Sequence, residues 1–336
     1  MKTRGLTELI QSYFTLVLPR RGFSAQTLHS YRDAIKLLLR YASQRTNRPV
    51  VKLTFNDLDV NMIAGFLDHL ERDRGNQIIT RNNRLAALRS FFHYAAAEEP
   101  TLAEQCRRIC TLPRKRAPVQ TIDYLELNEM QAILATPDRN TPSGRRDHAM
   151  LLFLYNTGAR VQELTTVRAR DLQLTRPRQV LLYGKRSKER ICPLWQTTAD
   201  TLNTLLNDNR IPAQSDARVF LNDRKQAITR FGVDHILKKH ATKAAQQLPT
   251  LARKRISPHT IRHTSAVHLL NSGVDINVIR AWLGHVDLRT TNIYAEIDLN
   301  TKRKAIETCA PNGKTPEYST ASWKQTPDLL TWLEQL

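Results

Sequence analysis

Five short patterns between residues 157 and 297 of the 336-residue chain bring together groups that bind oxyanions, move protons or act as nucleophiles. The first is TGARVQEL, where Arg160 follows Gly158 at an expected helix start. Arginine is permanently charged, and its planar fork matches two phosphate oxygens. Glu163, one helical turn on, is placed to hold that guanidinium. The second, GKRSKER, reads as a hairpin turn with Lys188 at its tip, where a long amine has reach. In the third, SPHTIRH, Pro258 pre-forms a first helical turn, and His259 and Arg262, three apart, share one face. The fourth, WLGH, ends in His285 after Gly284, and nine residues later Tyr294 stands in TTNIYAEI. Each alone has an ordinary reading. A lone Tyr294 on an amphipathic helix is usually a packing residue, Glu163 could simply pair with Arg160 or Arg168 on a helix surface, and Lys185 competes with Lys188. His259 and His263 are four apart, but Thr260 stands where a zinc H-E-x-x-H motif needs Glu, so no metal is expected. Cys106, Cys110, Cys192 and Cys309 have no disulfide framework or paired metal spacing and read as core thiols of a reducing cytosol.

All five patterns occur together, in one order and at matching spacing, and in this the chain resembles the tyrosine recombinases of the phage-integrase type. That family's first-arginine box is similar to TGARVQEL, G-K-x-x-K-x-R-x-x-P to GKRSKERICP, H-x-x-R to HTIR, and L-G-H with a tyrosine nine residues later to LGHVDLRTTNIY. TLHSYRDAIKLLLRYA and RNNRLAALRSFFHYA extend the likeness to the family's core-binding domain, so that it runs from about residue 7 to about residue 307. The fold this implies is mainly α. A helical, SAM-like core-binding bundle would precede a mainly helical catalytic domain with a small antiparallel β-sheet.

The activity implied is site-specific cleavage and rejoining of DNA. Tyr294 would form a 3′-phosphotyrosine and release a 5′-hydroxyl, conserving the bond energy as covalent catalysis does. Arg160 and Arg262 would neutralise the non-bridging oxygens of the phosphorane-like state. Lys188, which the family pattern favours over Lys185, would protonate the leaving 5′-oxygen. His259 would assist proton transfer at the nucleophile and His285 would hydrogen-bond a phosphate oxygen, with Glu163 in support. Two arginines supply the charge a magnesium ion would give, so no metal and no cofactor are expected. The partner is double-stranded DNA with inverted-repeat-like core sites. Four protomers, all alike or paired with a related recombinase, would assemble on it through a C-terminal helix. The core-binding helices begin within about ten residues of the start, which resembles the simpler Xer- or Cre-type members. Integration, excision or circularisation of a mobile element is the leading role. A chromosome-dimer resolvase comes second, and a monomeric type IB topoisomerase is a rival from another class. The chain departs from the pattern at Arg186, where the family often has glycine, and at Cys192, usually a branched aliphatic.

Elements of two kinds must position these groups. Before residue 117 the apolar periodicity is helical. Tyr31, Ile35, Leu38 and Leu39 form one stripe, and Leu85, Leu88, Phe91, Phe92 and Tyr94 another, while Arg32, Arg81, Arg84 and Arg89 are expected on other faces. Shorter helices are expected at 6–18, 57–73 and 102–110. After it, helices are expected at 126–135, 144–157, 160–167, 197–209, 228–247, 258–272, 276–283, 290–297 and 300–307, with strands at 179–185 and 190–194. Between the two parts, PRKRAP carries Arg114, Lys115 and Arg116 between prolines and reads as an extended basic linker fit to lie along a phosphate backbone, or as a solvated hinge. The division is therefore 1–112, a linker at 113–120, 121–310, and a tail at 311–336 whose TPDLLTWLEQL has an amphipathic face. The chain holds 51 Lys+Arg against 31 Asp+Glu, a net charge of +20. Residues 1–117 hold 20 basic and 10 acidic side chains, so about a third of the chain carries half of that charge. Such a protein collects polyanions, nucleic acid first and anionic membrane surfaces second. The DNA contacts are expected at Arg32, Arg81, Arg84, Arg89, Arg114, Lys115 and Arg116, and along the helix around residues 228–239. No apolar run spans a bilayer and no secretory signal opens the chain, so a cytoplasmic, nucleoid-associated protein is expected.

Overall fold

The computed structural model describes residues 4–23, 25–118, 123–184 and 188–284. The chain divides into two compact units, Met1–Gln120 and Thr121–Leu336. The helices expected at 290–297 and 300–307, and the amphipathic tail, lie outside the described residues.

Every regular element among the first unit's described residues is a helix. Helix α1 (Leu6–Ser12) runs through a π-helical turn, Tyr13–Val17, into the short α2 (Leu18–Arg20). Helix α3 (Ala25–Thr46) buries Ala34, Ile35, Leu38, Tyr41 and Ala42, one stripe at the spacing a 3.6-residue turn requires. Helix α4 (Val60–Arg72) starts where the Asp59 carboxylate accepts the Met62 N–H at 2.7 Å, a cap worth about 1 kcal/mol. Helices α5 (Ile78–Glu98) and α6 (Ala103–Cys110) close the bundle. Its centre is aromatic: Tyr13 meets Phe91 edge-on at 5.5 Å, and Phe91 meets Phe92 at 5.4 Å.

The second unit is built around α8 (Pro142–Thr157), which follows α7 (Leu127–Ala135). Every residue from Ala149 to Leu154 is buried, so α8 is apolar nearly all round and must lie in the core. Helix α9 (Val161–Thr166) leads into an antiparallel sheet of β1 (Leu172–Gln173), β2 (Gln179–Tyr183) and β3 (Glu189–Pro193), in that order. Then come α10 (Gln196–Asp208), α11 (Arg230–Ala245), α12 (Pro258–Asn271) and α13 (Ile276–Leu283). Both expected strands are present, but they end at Tyr183 and resume at Glu189, with Tyr183 opposite Glu189. Lys188 consequently stands at the root of β3 rather than at a turn tip. The Gly184 N–H donates to its carbonyl at 2.7 Å, closing the hairpin below residues 185–187, which lie outside the described residues. No helix among the described residues is long and apolar enough to cross a membrane.

Candidate active site

Helix α8 ends on Gly158, whose φ of 57° is left-handed and suits only glycine without strain. A Cβ there would also come within 2.5 Å of the Leu283 side chain. This sharp exit puts Arg160 at the start of α9 with extended backbone, its side chain 27% exposed. Helix α12 starts at Ser257, whose hydroxyl accepts the Thr260 N–H at 3.2 Å, with Pro258 in its first turn. That helix brings Arg262 inward, 3% exposed, onto the other side of the Gly158 corner, where its Nη1 donates to Gly158 O at 2.6 Å.

The two arginines meet at the C-terminal end of α13. Arg262 Nη2 donates to Leu283 O at 2.5 Å and Arg160 Nη2 to Gly284 O at 3.3 Å. A third arginine joins them, because Arg190 Nε donates to Trp282 O at 2.8 Å. Three successive carbonyls that a helix end leaves without intrahelical donors are thus taken by three guanidinium groups, the arrangement the negative end of a helix dipole favours. Gly284, with φ 63°, ends α13, and His285 is the next residue.

Beneath them lies Glu163, its side chain 2% exposed. One oxygen, Oε1, accepts from Arg160 Nη1 at 3.0 Å and Arg190 Nη1 at 2.8 Å. The other, Oε2, accepts from the Arg160 backbone N–H at 2.8 Å and Arg190 Nη2 at 2.7 Å. Burial pushes this carboxyl up, but the Arg190 hydrogen bonds and charge, with Arg160, outweigh it and hold the group below the usual carboxylate range. Arg190 has no assigned task in the sequence patterns above; it is the last residue of GKRSKER, and its burial against Glu163 is a tertiary fact that spacing does not carry.

His259 sits at the exposed edge of α12, and His263, one turn deeper, is half-buried. Partial desolvation and then the Arg262 and Arg160 charges hold His259 below the usual histidine range, keeping it neutral and able to accept a proton. His263 is pushed down to about 4, by burial first, then by His259 and Arg262, against a smaller opposing pull from Asp123. The unfolded chain protonates this residue near its ordinary 6.5, whereas the folded one resists until about 4. The unfolded state therefore binds more protons across that window, and stability must fall as the pH is lowered through it. Thermal melts between pH 7 and pH 4 should show that fall, and His263→Gln should flatten it; an unchanged slope would remove His263 as its source.

The structure thus brings Arg160, Glu163 and Arg262 together beside His259, with Lys188 exposed at the hairpin root two residues from Arg190. His285 and Tyr294 lie outside the described residues. In the first unit, helical spacing puts Arg81 on an outward face, and the structure corrects this. Arg81 is buried, its Nε 3.2 Å from Glu71 and its Nη1 donating to Pro113 O at 3.0 Å. Arg89 Nη2 donates to Leu112 O, and Asn82 exchanges hydrogen bonds with the Lys115 backbone at 2.8 and 3.2 Å. Lys115 Nζ also reaches Glu71 at 2.9 Å. These groups lash the start of the basic segment to α5, because a buried guanidinium needs carbonyl and carboxylate partners. Arg32, Arg114 and Arg116 are exposed. Arg84 is half-buried, its Nη1 without a hydrogen-bond partner, and burial and then the Arg74 charge lower its pKa. Cys106 and Cys192 are buried, as core thiols, and burial pushes Cys106 up to about 11.

The phage integrase family matches residues 123–300, and the N-terminal SAM-like domain of phage integrases matches residues 10–99. Among similar proteins, one from Sinorhizobium fredii named "Putative integrase/recombinase y4rC" is 38% identical over 339 residues, covering 100% of this chain and 99% of its own. Tyrosine recombinase XerD of Listeria monocytogenes is 32% identical over 298 residues, covering 87% of this chain and 95% of its own. In fold, the chain is similar to the XerH site-specific recombinase bound to palindromic difH substrate, with a TM-score of 0.66, 20% identity, and 85% and 81% of the two chains covered. The two arginines held on one buried carboxylate and the matches along both units lead to one conclusion: the chain belongs to the phage integrase family and is a tyrosine recombinase, an enzyme that cleaves and rejoins DNA.

Proposed function

We propose that the chain recombines the ends of a mobile element, integrating, excising or circularising it through a 3′-phosphotyrosine and a four-way junction. The observation that carries the chemistry is the convergence of Arg160 and Arg262 on the last carbonyls of α13, one residue before His285. Two guanidinium forks are thereby fixed around one point, where a phosphodiester would present its non-bridging oxygens. The Tyr294 oxygen attacks phosphorus while the bond to the 5′-oxygen breaks. The phenolic proton passes to neutral His259, Lys188 supplies a proton to the departing 5′-oxygen, and His285 hydrogen-bonds a phosphate oxygen. A 5′-hydroxyl from the second duplex reverses the step. Charge on the oxygens is met by arginine, so the reaction needs neither a metal nor a nucleotide cofactor.

On the DNA side, exposed Arg32, Arg114 and Arg116 and the half-buried Arg84 would contact phosphates. Arg81, Arg89 and Lys115 would act by shaping the basic segment at the end of the first unit, which keeps Arg114 and Arg116 outward. The start of α11 offers Phe231, 71% exposed, with the Arg230 guanidinium 4.7 Å over its ring. An aromatic and a cation at a helix start suit base edges in a groove. The end-to-end match with a protein named as an integrase/recombinase favours the mobile-element role, while the XerD match supports the second reading, resolution of chromosome dimers. The DNA that is cut decides between them. Nicked duplexes built from the DNA flanking this gene should trap a covalent adduct and assemble four protomers on two paired sites, through the C-terminal helix, by native mass. Adducts only on chromosomal dimer-resolution sites would favour the second reading, and a monomer that relaxes supercoils without pairing sites would mark a topoisomerase.

A further inference from the structure

We infer that Arg190 is a positioning residue for strand cleavage, holding the hairpin that carries Lys188 in register with Arg160. The inference rests on the reading of Lys188 as the general acid. Lys188 and Arg190 are two apart on an extended chain, and side chains two apart leave a strand on the same side. Arg190 shows which side that is: its two Nη atoms fork onto Glu163 at 2.8 and 2.7 Å, and its Nε holds Trp282 O at 2.8 Å. The base of the hairpin is seated on the same carboxylate, since a Cβ on Gly184 would stand 3.5 Å from Glu163 Oε1 and 3.3 Å from Lys188 O. Glu163 in turn fixes Arg160 through both its backbone N–H and its Nη1. One buried carboxylate therefore sets the origin of the proton donor and the plane of the phosphate-binding fork together.

A lysine amine rides on a flexible four-carbon stem. Such a group delivers its proton to one oxygen efficiently only if its backbone is fixed. Arg190 fixes it with donors on three separate nitrogens of one planar group, a spread only a guanidinium has; a lysine in its place keeps the charge and loses the fork.

The test uses the full chain and two versions of one nicked duplex, with oxygen or sulfur at the 5′-bridging position. With oxygen, the phosphorus–oxygen bond breaks and Lys188 must supply a proton. With sulfur, the phosphorus–sulfur bond breaks and the thiolate leaves unprotonated, so the general acid is not needed. Arg190→Lys should form adduct on the oxygen duplex at least about tenfold more slowly than the parent, and recover to about the parent rate on the sulfur duplex. Lys188→Ala should show the same recovery. If Lys188→Ala recovers and Arg190→Lys does not, Arg190 only supports the fold or Arg160, and the inference fails while the role of Lys188 stands. If Lys188→Ala does not recover, the general-acid reading fails and takes the inference with it. Should Arg190→Lys melt below the assay temperature, the double variant Glu163→Gln, Arg190→Gln removes the fork without stranding a buried charge, and its sulfur-to-oxygen rate ratio decides in the same way.

Discussion

Tyr294→Phe should form no covalent adduct on any nicked duplex that traps the parent, while binding that DNA with the same affinity and salt dependence. The substitution removes one oxygen and keeps the ring, so any packing the ring contributes survives. Without the phenolic oxygen no bond to phosphorus can form. Losing the nucleophile of a catalytic constellation that acts as a unit has cost about 10⁶ in rate in a serine protease. Binding should persist because it is carried by the basic side chains that give the chain its net charge of +20, and by the release of counterions from phosphate. A denaturing gel reads the first quantity and a salt titration the second. An adduct that survives in Tyr294→Phe would move the nucleophile to another residue. Joint loss of adduct and binding would make Tyr294 a structural residue of the unit that holds Arg160 and Arg262.

The sequence made the helices and the arginines legible for a physical reason. Helical elements with a clean apolar stripe, such as α3 with Ile35, Leu38 and Ala42, announce themselves through periodicity. The corner at Gly158 and the Ser257–Pro258 start of α12 are local signals that fix where Arg160 and Arg262 stand. Strand β1 is two residues long, too short for any alternation to show, and exists only because β2 pairs with it. The inward turn of Arg81 depends on Glu71 and Pro113 O, partners that no local window around α5 contains. Arg190 is the same case at the site: its neighbours in sequence suggest a strand, and only the fold brings Glu163 and Trp282 O to it. What sequence spacing cannot carry is which charged groups become partners across elements, and that is where the positioning chemistry lies.

Glu163→Gln decides what that carboxylate is for. By charge alone, a carboxylate beside two arginines should weaken their pull on a phosphate, and removing it should quicken cleavage. By orientation, its removal should be harmful, and the geometry favours orientation. Each of its oxygens takes two donors, and an amide can replace only one oxygen, turning an NH2 group toward guanidinium N–H donors. Arg190, its side chain 9% exposed, would then hold a buried charge without its counter-charge. Breaking one side of such a pair costs about 3–5 kcal/mol, which lowers the melting temperature of a unit this size by roughly 10 °C. Below that temperature, adduct formation should still fall by about 10²–10³, as for a lost transition-state donor, because the Arg160 fork is no longer fixed. The stability difference has a definite pH dependence. The folded carboxyl is held below its ordinary 4.5, so the parent's advantage is present above that pH and shrinks as the pH falls below it, while Glu163→Gln has no such limb. Melts of the two proteins should therefore converge on acidification and lie furthest apart near neutrality. Faster cleavage in Glu163→Gln, or melting curves a constant distance apart at every pH, would return Glu163 to the role of an incidental neighbour of Arg160.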